Sequence, residues 1–456
     1  MNPKTFATLP LSPQMIQNLE AIGYTEMTAI QSESLPHMLQ GRDIVAEAKT
    51  GSGKTAAFGI GVLSALDVKK FRVQSLILTP TRELADQVAR ELRQIAKFAH
   101  NIKILTLCGG AAFGPQLGSL RHGAHIVVGT PGRILKHLSK DTLSLENMQT
   151  LVLDEADRML DMGFIEEIEK VLAYAPKERQ TLLFSATYPS EILELSASIQ
   201  KDAISIKTKS QEVANKVTER FYEVQNDAKI QTLVNIFSTF KPQNAIVFSN
   251  TKIEADEIAA KLQKSEIDAL AIHGDLEQYD RNDVLVQFSN GSARVLVATD
   301  VAARGLDIKE LSMVVNYDLP HSLETYTHRI GRTARAGAKG LAFTLYEPWQ
   351  EEKIEEYRNA HRLFEEADRL KTTNGFTMKP THYTLVIEGG KKEKLRAGDL
   401  LGALTGDAGL AGSAIGKIDI YERQSYVAIE AKFVDEAQKR LANGKIKGKK
   451  FSVWIL

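Results

Sequence analysis

Two series of short apolar runs, separated by segments with helical periodicity, constrain the fold of this chain more than any other feature. The first series has its runs at residues 75–79, 102–107, 125–129, 151–153 and 181–184. The second has its runs at residues 245–248, 268–272, 294–298 and 313–316. Runs that are mostly apolar on both faces are typical of parallel strands that are covered by helices on both sides. The pattern predicts two tandem α/β domains, each built on a parallel sheet.

The last segment of the chain has a different rhythm. Its predicted elements are strand 382–387, helix 399–404, strand 415–420, strand 425–429, helix 434–442 and strand 450–455. This β-α-β-β-α-β order is that of a ferredoxin-like sandwich, the topology of the RNA-recognition motif. The segment therefore predicts a small α+β domain after the two α/β domains.

These patterns divide the 456 residues into five predicted parts. They are an N-terminal α/β domain (1–207), a polar hinge (208–216), a second α/β domain (217–345), a charged linker (346–380) and the small domain (381–456). The linker carries 8 acidic and 6 basic residues, and residues 351–356 read as a charged helix.

Bulk charge cannot be used to argue for a nucleic-acid partner, because the chain has 57 basic and 57 acidic residues. The small domain has a local basic excess, with 13 Lys and Arg against 9 Asp and Glu. Cys108 is the single cysteine, so no internal disulfide can form, and its apolar neighbours predict a buried thiol. The chain shows no signal-peptide pattern and no membrane-spanning apolar window, which predicts a cytoplasmic protein that does not bind membranes. We expect a monomer.

A glycine-rich loop at residues 48–55 predicts a phosphate-binding site. It follows a short predicted strand at residues 43–47 and leads into a helical segment, the strand, loop and helix order that a P-loop requires. Glycine permits the backbone to turn its N–H groups towards phosphate oxygens, while the lysine adds positive charge and the threonine a hydroxyl for Mg²⁺. The predicted loop residues are Ala48, Lys49, Thr50, Gly51, Ser52, Gly53, Lys54 and Thr55, with Ala48 where the general pattern has glycine.

Two carboxylates follow the apolar run that ends at residue 153. Asp154 stands where a carboxylate at a strand end reaches the metal ion of a nucleotide site, and Glu155 beside it can orient or deprotonate an attacking water. A solvated acidic turn is the alternative interpretation, and the upstream P-loop favours the catalytic one. The two motifs together predict hydrolysis of a nucleoside triphosphate.

With further motifs in the same order, the chain resembles the DEAD-box ATP-dependent RNA helicases from residue 6 to about residue 345. These motifs lie at residues 80–84, 109–110, 130–133, 154–157, 185–187, 298–307 and 328–335. The resemblance implies two RecA-like domains and an RNA-stimulated ATPase that uses ATP and Mg²⁺. It also implies local opening of short RNA duplexes by closure of both domains around one strand.

The resemblance assigns roles to individual residues. Adenine selection falls to Phe6, Tyr24 and Gln31, in a motif where Met27 replaces the usual proline. Gly305 and Asp307 are implied to contact the ribose and γ-phosphate, and Arg332 and Arg335, three apart on one expected helix, are implied arginine fingers. Coupling of hydrolysis to RNA binding is assigned to Asp157, Ser185, Thr187 and His328.

The implied RNA contacts in the two α/β domains are small, polar or basic residues. They are Pro80, Thr81, Arg82, Gly110, Thr130, Gly132 and Arg133 in the first domain, and Asn250, Thr251, Gln278, Arg281 and Thr299 in the second. Such groups bind phosphate and sugar without reading sequence, so we expect selectivity to come from elsewhere.

The small domain is the expected source of that selectivity. Its predicted RNA-binding residues are Lys391, Lys392, Lys394, Arg396 and Lys447, together with Tyr426 as the one ring expected on the open sheet face. Because the usual glycine and aromatic string is absent from residues 425–430, we expect binding mainly through the basic loops. This tail resembles that of bacterial DEAD-box proteins of large-subunit ribosome assembly, which implies tethering to a hairpin of 23S ribosomal RNA in pre-50S particles.

Two other functions are compatible with the sequence. An ATP-gated RNA clamp would hold RNA with little turnover, and a slow single turnover would favour it. A DNA-acting ATPase would be stimulated equally by DNA. The complete hydrolytic set argues against the clamp, and the RNA-type tail argues against DNA.

Overall fold

The computed structural model describes residues 5–48, 51–207, 217–303, 311–333, 340–370, 375–406 and 409–456. The predicted hinge at 208–216 lies outside the described residues. The chain divides into two compact units, of which the first holds one sheet and the second holds the other two.

The first unit is a seven-stranded parallel sheet flanked by helices. Its strands are β1 (Ile44–Glu47), β2 (Ser75–Leu78), β3 (Ile104–Leu107), β4 (Ile126–Gly129), β5 (Thr150–Asp154), β6 (Gln180–Ser185) and β7 (Ile204–Lys207). Its helices are α1 (Pro13–Ala21), α2 (Ala29–Met38), α3 (Lys54–Ser64), α4 (Arg82–Ile95), α5 (Phe113–Arg121), α6 (Pro131–Leu138), α7 (Ala156–Asp161), α8 (Ile165–Leu172) and α9 (Ser190–Ile199). Every residue of β2, β4 and β5 is buried, because helices cover both faces.

Strand order places three predicted motifs side by side. The order is β3-β4-β2-β5-β6-β1-β7, so β6 lies between β5 and β1. The parallel register pairs Asp154 of β5 with Phe184 of β6, and Ser185 of β6 with Glu47 of β1. The phosphate loop, the acidic motif and the serine-threonine motif therefore leave the same edge of the sheet from neighbouring strands.

The second unit begins with another seven-stranded parallel sheet, in the order β10-β11-β9-β12-β13-β8-β14. Its strands are β8 (Val217–Glu223), β9 (Ala245–Ser249), β10 (Ala269–Ile272), β11 (Val295–Thr299), β12 (Met313–Asn316), β13 (Gly340–Tyr346) and β14 (Arg362–Glu366). Its helices are α10 (Lys229–Phe240), α11 (Lys252–Lys264), α12 (Gln278–Ser289), α13 (Asp300–Ala303), α14 (Leu323–Ile330) and α15 (Glu351–Ile354).

The prediction of a charged linker at residues 346–380 is partly wrong, because this interval contributes an edge strand. β14 pairs in parallel with β8, and both ion pairs and the stacking of Phe364 on Phe221 hold it there. Arg362 Nε lies 2.7 Å from Glu219 Oε2, and Arg220 Nη1 lies 2.7 Å from Glu365 Oε2. The predicted charged helix is present only as the short α15 and a following 3₁₀ turn.

The third sheet is antiparallel, with the order β16-β17-β15-β18. Its elements are β15 (His382–Ile387), α16 (Ala397–Thr405), β16 (Ile415–Ile420), β17 (Ser425–Glu430), α17 (Val434–Asn443) and β18 (Val453–Ile455). The predicted β-α-β-β-α-β order and the predicted fold class are confirmed, although β18 is shorter than expected. Among the described residues, no helix is both long and apolar enough to cross a membrane.

Candidate nucleotide and RNA sites

The phosphate loop has the backbone that its glycines allow. Gly51 and Gly53 have φ angles of +85° and +93°, in the left-handed region that favours glycine, and α3 begins directly afterwards at Lys54. The N-terminus of a helix provides free N–H groups and a positive dipole end, which suit an anion. Lys49 and Thr50 lie outside the described residues.

Three buried polar atoms beside this loop have no hydrogen-bond partner within the described chain. They are Ser52 Oγ, Lys54 Nζ and Asp154 Oδ1. Buried polar groups are normally satisfied, so a cluster of unsatisfied ones marks a place for a ligand. Burial raises the pKa of Asp154 to about 7, against the opposing effect of the Lys54 ammonium. An ammonium, a hydroxyl and a carboxylate fit a phosphate group that is bound together with a divalent cation.

Glu155 occupies a strained backbone position at the start of α7. Its φ and ψ are both 54°, in the left-handed region that non-glycine residues rarely adopt. Its Oε2 lies 2.9 Å from Arg158 Nη1, and both side chains are buried. Strain at such a position is maintained by surrounding structure and is often found at functional sites. Arg158 thus positions Glu155, a role that the sequence analysis missed.

Asp157 connects the acidic motif to the serine-threonine motif. Its Oδ2 accepts hydrogen bonds from the backbone N–H groups of Ala186 and Thr187, at 3.1 Å each, and from Thr187 Oγ1 at 3.2 Å. In return, Ser185 Oγ accepts a bond from the Asp157 N–H at 3.1 Å. The backbone N–H of Ala48 also donates to the Ser185 carbonyl at 2.9 Å. The predicted coupling residues of the first domain therefore form one network with the phosphate loop.

Gln31, one of the residues predicted to select adenine, contacts the phosphate loop. Gln31 Nε2 donates to the Gly53 carbonyl at 3.1 Å, and Gln31 Oε1 accepts from the Thr28 N–H at 2.9 Å. A Cβ at Gly53 would lie 2.6 Å from Gln31 Nε2, so this approach requires glycine. The sequence did not predict this contact, which ties the base-selecting motif to the phosphate-binding backbone.

Phe6 and Tyr24 pack edge to face, with ring centroids 6.4 Å apart. Phe6 is only 3% exposed, and the Tyr24 hydroxyl donates to Glu91 Oε1 at 3.0 Å. In this structure Phe6 is a core residue that supports the motif and does not present an open ring to a base.

The predicted RNA contacts of the first domain cluster at strand ends. Thr81 Oγ1 accepts a hydrogen bond from the Leu84 N–H and thereby caps α4. The Arg82 guanidinium lies directly over Gly110, where a Cβ would be 1.6 Å from Nη1. Arg133 Nη1 donates to Gln116 Oε1 at 2.7 Å. The remaining members of this set are Pro80 and Thr130, at the ends of β2 and β4, and the exposed Gly132.

Arg329 is the centre of the predicted RNA-contacting edge in the second domain. Its guanidinium forms a two-pronged ion pair with Asp300 at 2.7 Å and donates to Asn250 Oδ1 at 3.1 Å. It also donates to Asn316 Oδ1 and to the Asp318 carbonyl. These partners follow or end β11, β9 and β12, which are adjacent. Arg329 is 1% exposed and was absent from the predicted site residues.

The other predicted residues of the second domain differ in accessibility. Thr251 is exposed and caps α11, Gln278 begins α12, and Thr299 ends β11. Arg281 is buried and donates to the Ala302 carbonyl at 2.7 Å.

The arginine-finger motif departs from one expectation. His328 is half-buried within α14, which ends at Ile330. Arg332 is buried in the turn after this helix, so the expectation that one helix carries both arginine fingers is wrong. Gly305, Asp307 and Arg335 lie outside the described residues.

The two basic segments of the small domain meet. Lys447 Nζ donates to the Lys394 carbonyl at 2.8 Å and lies 3.6 Å from Asp399 Oδ2. Lys391, Lys392 and Arg396 are exposed in the same segment as Lys394. Residues more than fifty positions apart thus form one basic surface, which we call the basic patch and define as Lys391, Lys392, Lys394, Arg396 and Lys447.

Tyr426 does not lie on an open face, and that prediction is wrong. The ring is 3% exposed and packs with Val286 of α12 and with Val386 and Trp454 of the sheet. Its hydroxyl donates to Asp283 Oδ1 of α12 at 2.8 Å. The sheet face on which RNA-recognition motifs usually stack bases is therefore docked on the second α/β domain. Val427 and Ile429 face the core of the small domain, as predicted.

Comparison with known proteins gives matches along the whole chain. Residues 28–195 match the family DEAD/DEAH box helicase, residues 228–337 match the helicase conserved C-terminal domain, and residues 384–455 match the DbpA RNA binding domain. The chain is 49% identical over 462 residues to the ATP-dependent RNA helicase DbpA of Escherichia coli strain K12, covering 99% of both proteins. It is 37% identical over 477 residues to that of Bacillus subtilis strain 168, covering 98% of both.

A solved structure also resembles the chain. Dbp5 of S. cerevisiae bound to RNA and ADP BeF3 is similar with a TM-score of 0.72 and 29% identity, covering 80% of this chain and 96% of that one.

Proposed function

The chain belongs to the DEAD-box ATP-dependent RNA helicases, and we propose that its C-terminal domain tethers it to a hairpin of 23S ribosomal RNA. There it opens short neighbouring duplexes during assembly of the large ribosomal subunit. The proposal includes action as a cytoplasmic monomer on pre-50S particles.

The observation that carries this proposal is the basic patch on a domain that is docked to the helicase core. Lysine and arginine neutralise RNA phosphates, and the patch combines two segments that are distant in sequence. The docked sheet face is covered, whereas the basic side chains of the loops are exposed. The match to the DbpA RNA binding domain supports the same assignment.

Tethering supplies the selectivity that the core lacks. The predicted core contacts are to phosphate and sugar, which carry no sequence information. A bound hairpin raises the effective concentration of the adjacent RNA at the core, so a sequence-blind core acts on selected duplexes.

ATP hydrolysis uses the residues that converge at the edge of the first sheet. Ser52 and Lys54 would hold the phosphates, while Thr55 and Asp154 would hold a Mg²⁺ ion, which would neutralise phosphate charge. Glu155, oriented by Arg158, accepts the proton of the attacking water.

Arg332 and Arg335 of the second domain stabilise the charge that develops on the transferred phosphoryl group. Because these arginines and Lys54 belong to different domains, hydrolysis requires domain closure, which RNA favours. The network of Asp157, Ser185 and Thr187 relays RNA binding to the acidic motif.

The testing experiment is steady-state phosphate release with a 23S ribosomal RNA fragment that contains the hairpin, compared with an unrelated RNA of equal length. We expect strong stimulation of phosphate release by the fragment and only weak stimulation by the unrelated RNA. The double charge reversal Lys392→Glu, Arg396→Glu should abolish the preference while leaving weak general stimulation. Lys264→Glu, at an exposed lysine of α11, is the matched control.

Equal stimulation by both RNAs in the unmodified chain would refute the tether. A single slow turnover would instead favour an RNA clamp, and equal stimulation by DNA would refute RNA selectivity.

A further inference from the structure

Two exposed tyrosines lie at the junction between α12 and the small domain. Tyr279 of α12 is 47% exposed, and Tyr421, directly after β16, is 40% exposed. Gln424 Nε2 donates to the Tyr279 hydroxyl at 2.5 Å. Tyr421 meets the ring of Tyr426 edge to face, with centroids 5.4 Å apart. The Tyr426 hydroxyl lies 3.1 Å from Gln424 Oε1, so both exposed tyrosines are held by the same pair of junction residues.

The exposure of these rings contrasts with the rest of the junction. Tyr426, Val286 and Val386 bury their apolar surface there. A single exposed tyrosine is ordinary on a protein surface. Two on different domains, one bonded to Gln424 and the other packed on Tyr426, form a preorganised aromatic surface, which we call the tyrosine pair (Tyr279 and Tyr421).

The surroundings of the tyrosine pair favour RNA as its occupant. Tyr279 is preceded by Gln278, a predicted phosphate contact of the core. On the other side, the backbone N–H of Lys391 donates to the Tyr421 carbonyl at 2.8 Å, and that of Lys392 donates to the Glu422 carbonyl at 3.0 Å. Tyr421 is thus bonded to the segment of the basic patch, and Tyr279 follows a predicted RNA contact of the core along the chain.

Charge also sets the orientation of the ligand. Glu277 and Asp280 are exposed on the α12 side, whereas the side of the small domain exposes three cations, Lys391, Lys392 and Arg423, against one carboxylate, Glu422. Phosphates are therefore favoured on the lysine side, which leaves the bases to meet the rings. Aromatic side chains stack on bases without regard to sequence.

We infer that the tyrosine pair stacks one or two single-stranded bases of the RNA segment that connects the tethered hairpin to the duplex at the core. This inference rests on the proposed function. It adds a positioning site that fixes the register in which the core meets its duplex.

The test measures RNA affinity of the full chain by fluorescence anisotropy with three probes. They are the blunt ribosomal hairpin, the same hairpin with a single-stranded tail, and the tailed hairpin with abasic nucleotides in the tail. We expect the tail to strengthen binding and the abasic tail, which keeps the phosphates, to lose most of that gain.

Tyr279→Ala and Tyr421→Ala should each weaken binding of the tailed hairpin by about tenfold, the order of magnitude for loss of one stacked base. Binding of the blunt hairpin should not change. Tyr279→Phe keeps the ring and should retain the tail effect, and Tyr174→Ala, at a tyrosine 48% exposed in the first domain, is the matched control.

Three results overturn the inference alone: no gain from the tail, an abasic tail as good as a normal one, or alanine variants that lose blunt and tailed binding equally. A chain that binds the blunt hairpin no better than unrelated RNA would overturn the tether itself, and the inference with it.

Discussion

The docking of the small domain on α12 leads to a quantitative prediction for Tyr426→Phe. The substitution removes only the hydroxyl, which donates to Asp283 Oδ1 at 2.8 Å. Tyr426 and Asp283 are 3% and 8% exposed, so water cannot readily replace the lost bond. Burial raises the pKa of Asp283, and the Tyr426 hydrogen bond counteracts this rise by stabilising the carboxylate. A hydrogen bond to a charged group is worth about 1.5–3 kcal/mol, which is the expected loss in the free energy of unfolding.

Trp454 gives a local probe for this loss. The chain has two tryptophans, and Trp454 packs in the same cluster as Tyr426. In a Trp349→Phe background, urea unfolding followed by Trp454 fluorescence should show a midpoint lowered by about 1 M, given a typical slope of about 1–3 kcal/mol per molar urea.

A double-mutant cycle with Asp283→Ala isolates the pair. If the bond carries the effect, the loss in the free energy of unfolding of the double variant should be smaller than the sum of the losses of the two single variants. The difference should be at least about 1 kcal/mol. Fully additive changes would refute the argument that Tyr426 stabilises docking through Asp283.

Three further predictions concern the core. Glu155→Gln should lower phosphate release by at least about 100-fold while ATP-dependent RNA binding is kept, and unchanged hydrolysis would refute its role as the base. Gly110→Ala should weaken RNA binding in titrations, because φ is +72° and the new Cβ would displace Arg82; Gly118→Ala, where a Cβ meets nothing within 4 Å, should not. Burial and the neighbouring Asp318 raise the pKa of Glu254 from 4.5 to about 8, so the folded chain keeps a proton that the unfolded chain releases. Stability should therefore fall as the pH rises through that interval, and Glu254→Gln should flatten the decline of the urea midpoint; an unchanged slope would contradict this account.

The parts of the fold that the sequence predicts are those with local, periodic signals. Strands such as β2 and β5 are apolar at nearly every position because helices cover both of their faces. The phosphate loop was equally clear, since the conformations of Gly51 and Gly53 require glycine. The order of elements in the small domain followed from the same kind of pattern.

The missed features depend on contacts between distant residues. β14 has the sequence Arg-Leu-Phe-Glu-Glu, and its ion pairs with β8 have no signature in a single segment. Arg329 joins residues from three separate strand ends, so its central role appears only once those strands are adjacent. Tyr426 was predicted as exposed because the pattern of one domain does not reveal that another domain covers its sheet face.

The central claim is that RNA, presented through the tether, controls ATP hydrolysis. Its most direct test is the rate of phosphate release by the full chain in three conditions: without RNA, with unrelated RNA, and with the ribosomal hairpin fragment. We predict slow release without RNA, weak stimulation by unrelated RNA and strong multiple-turnover release with the fragment. Equal rates in all three conditions would contradict it.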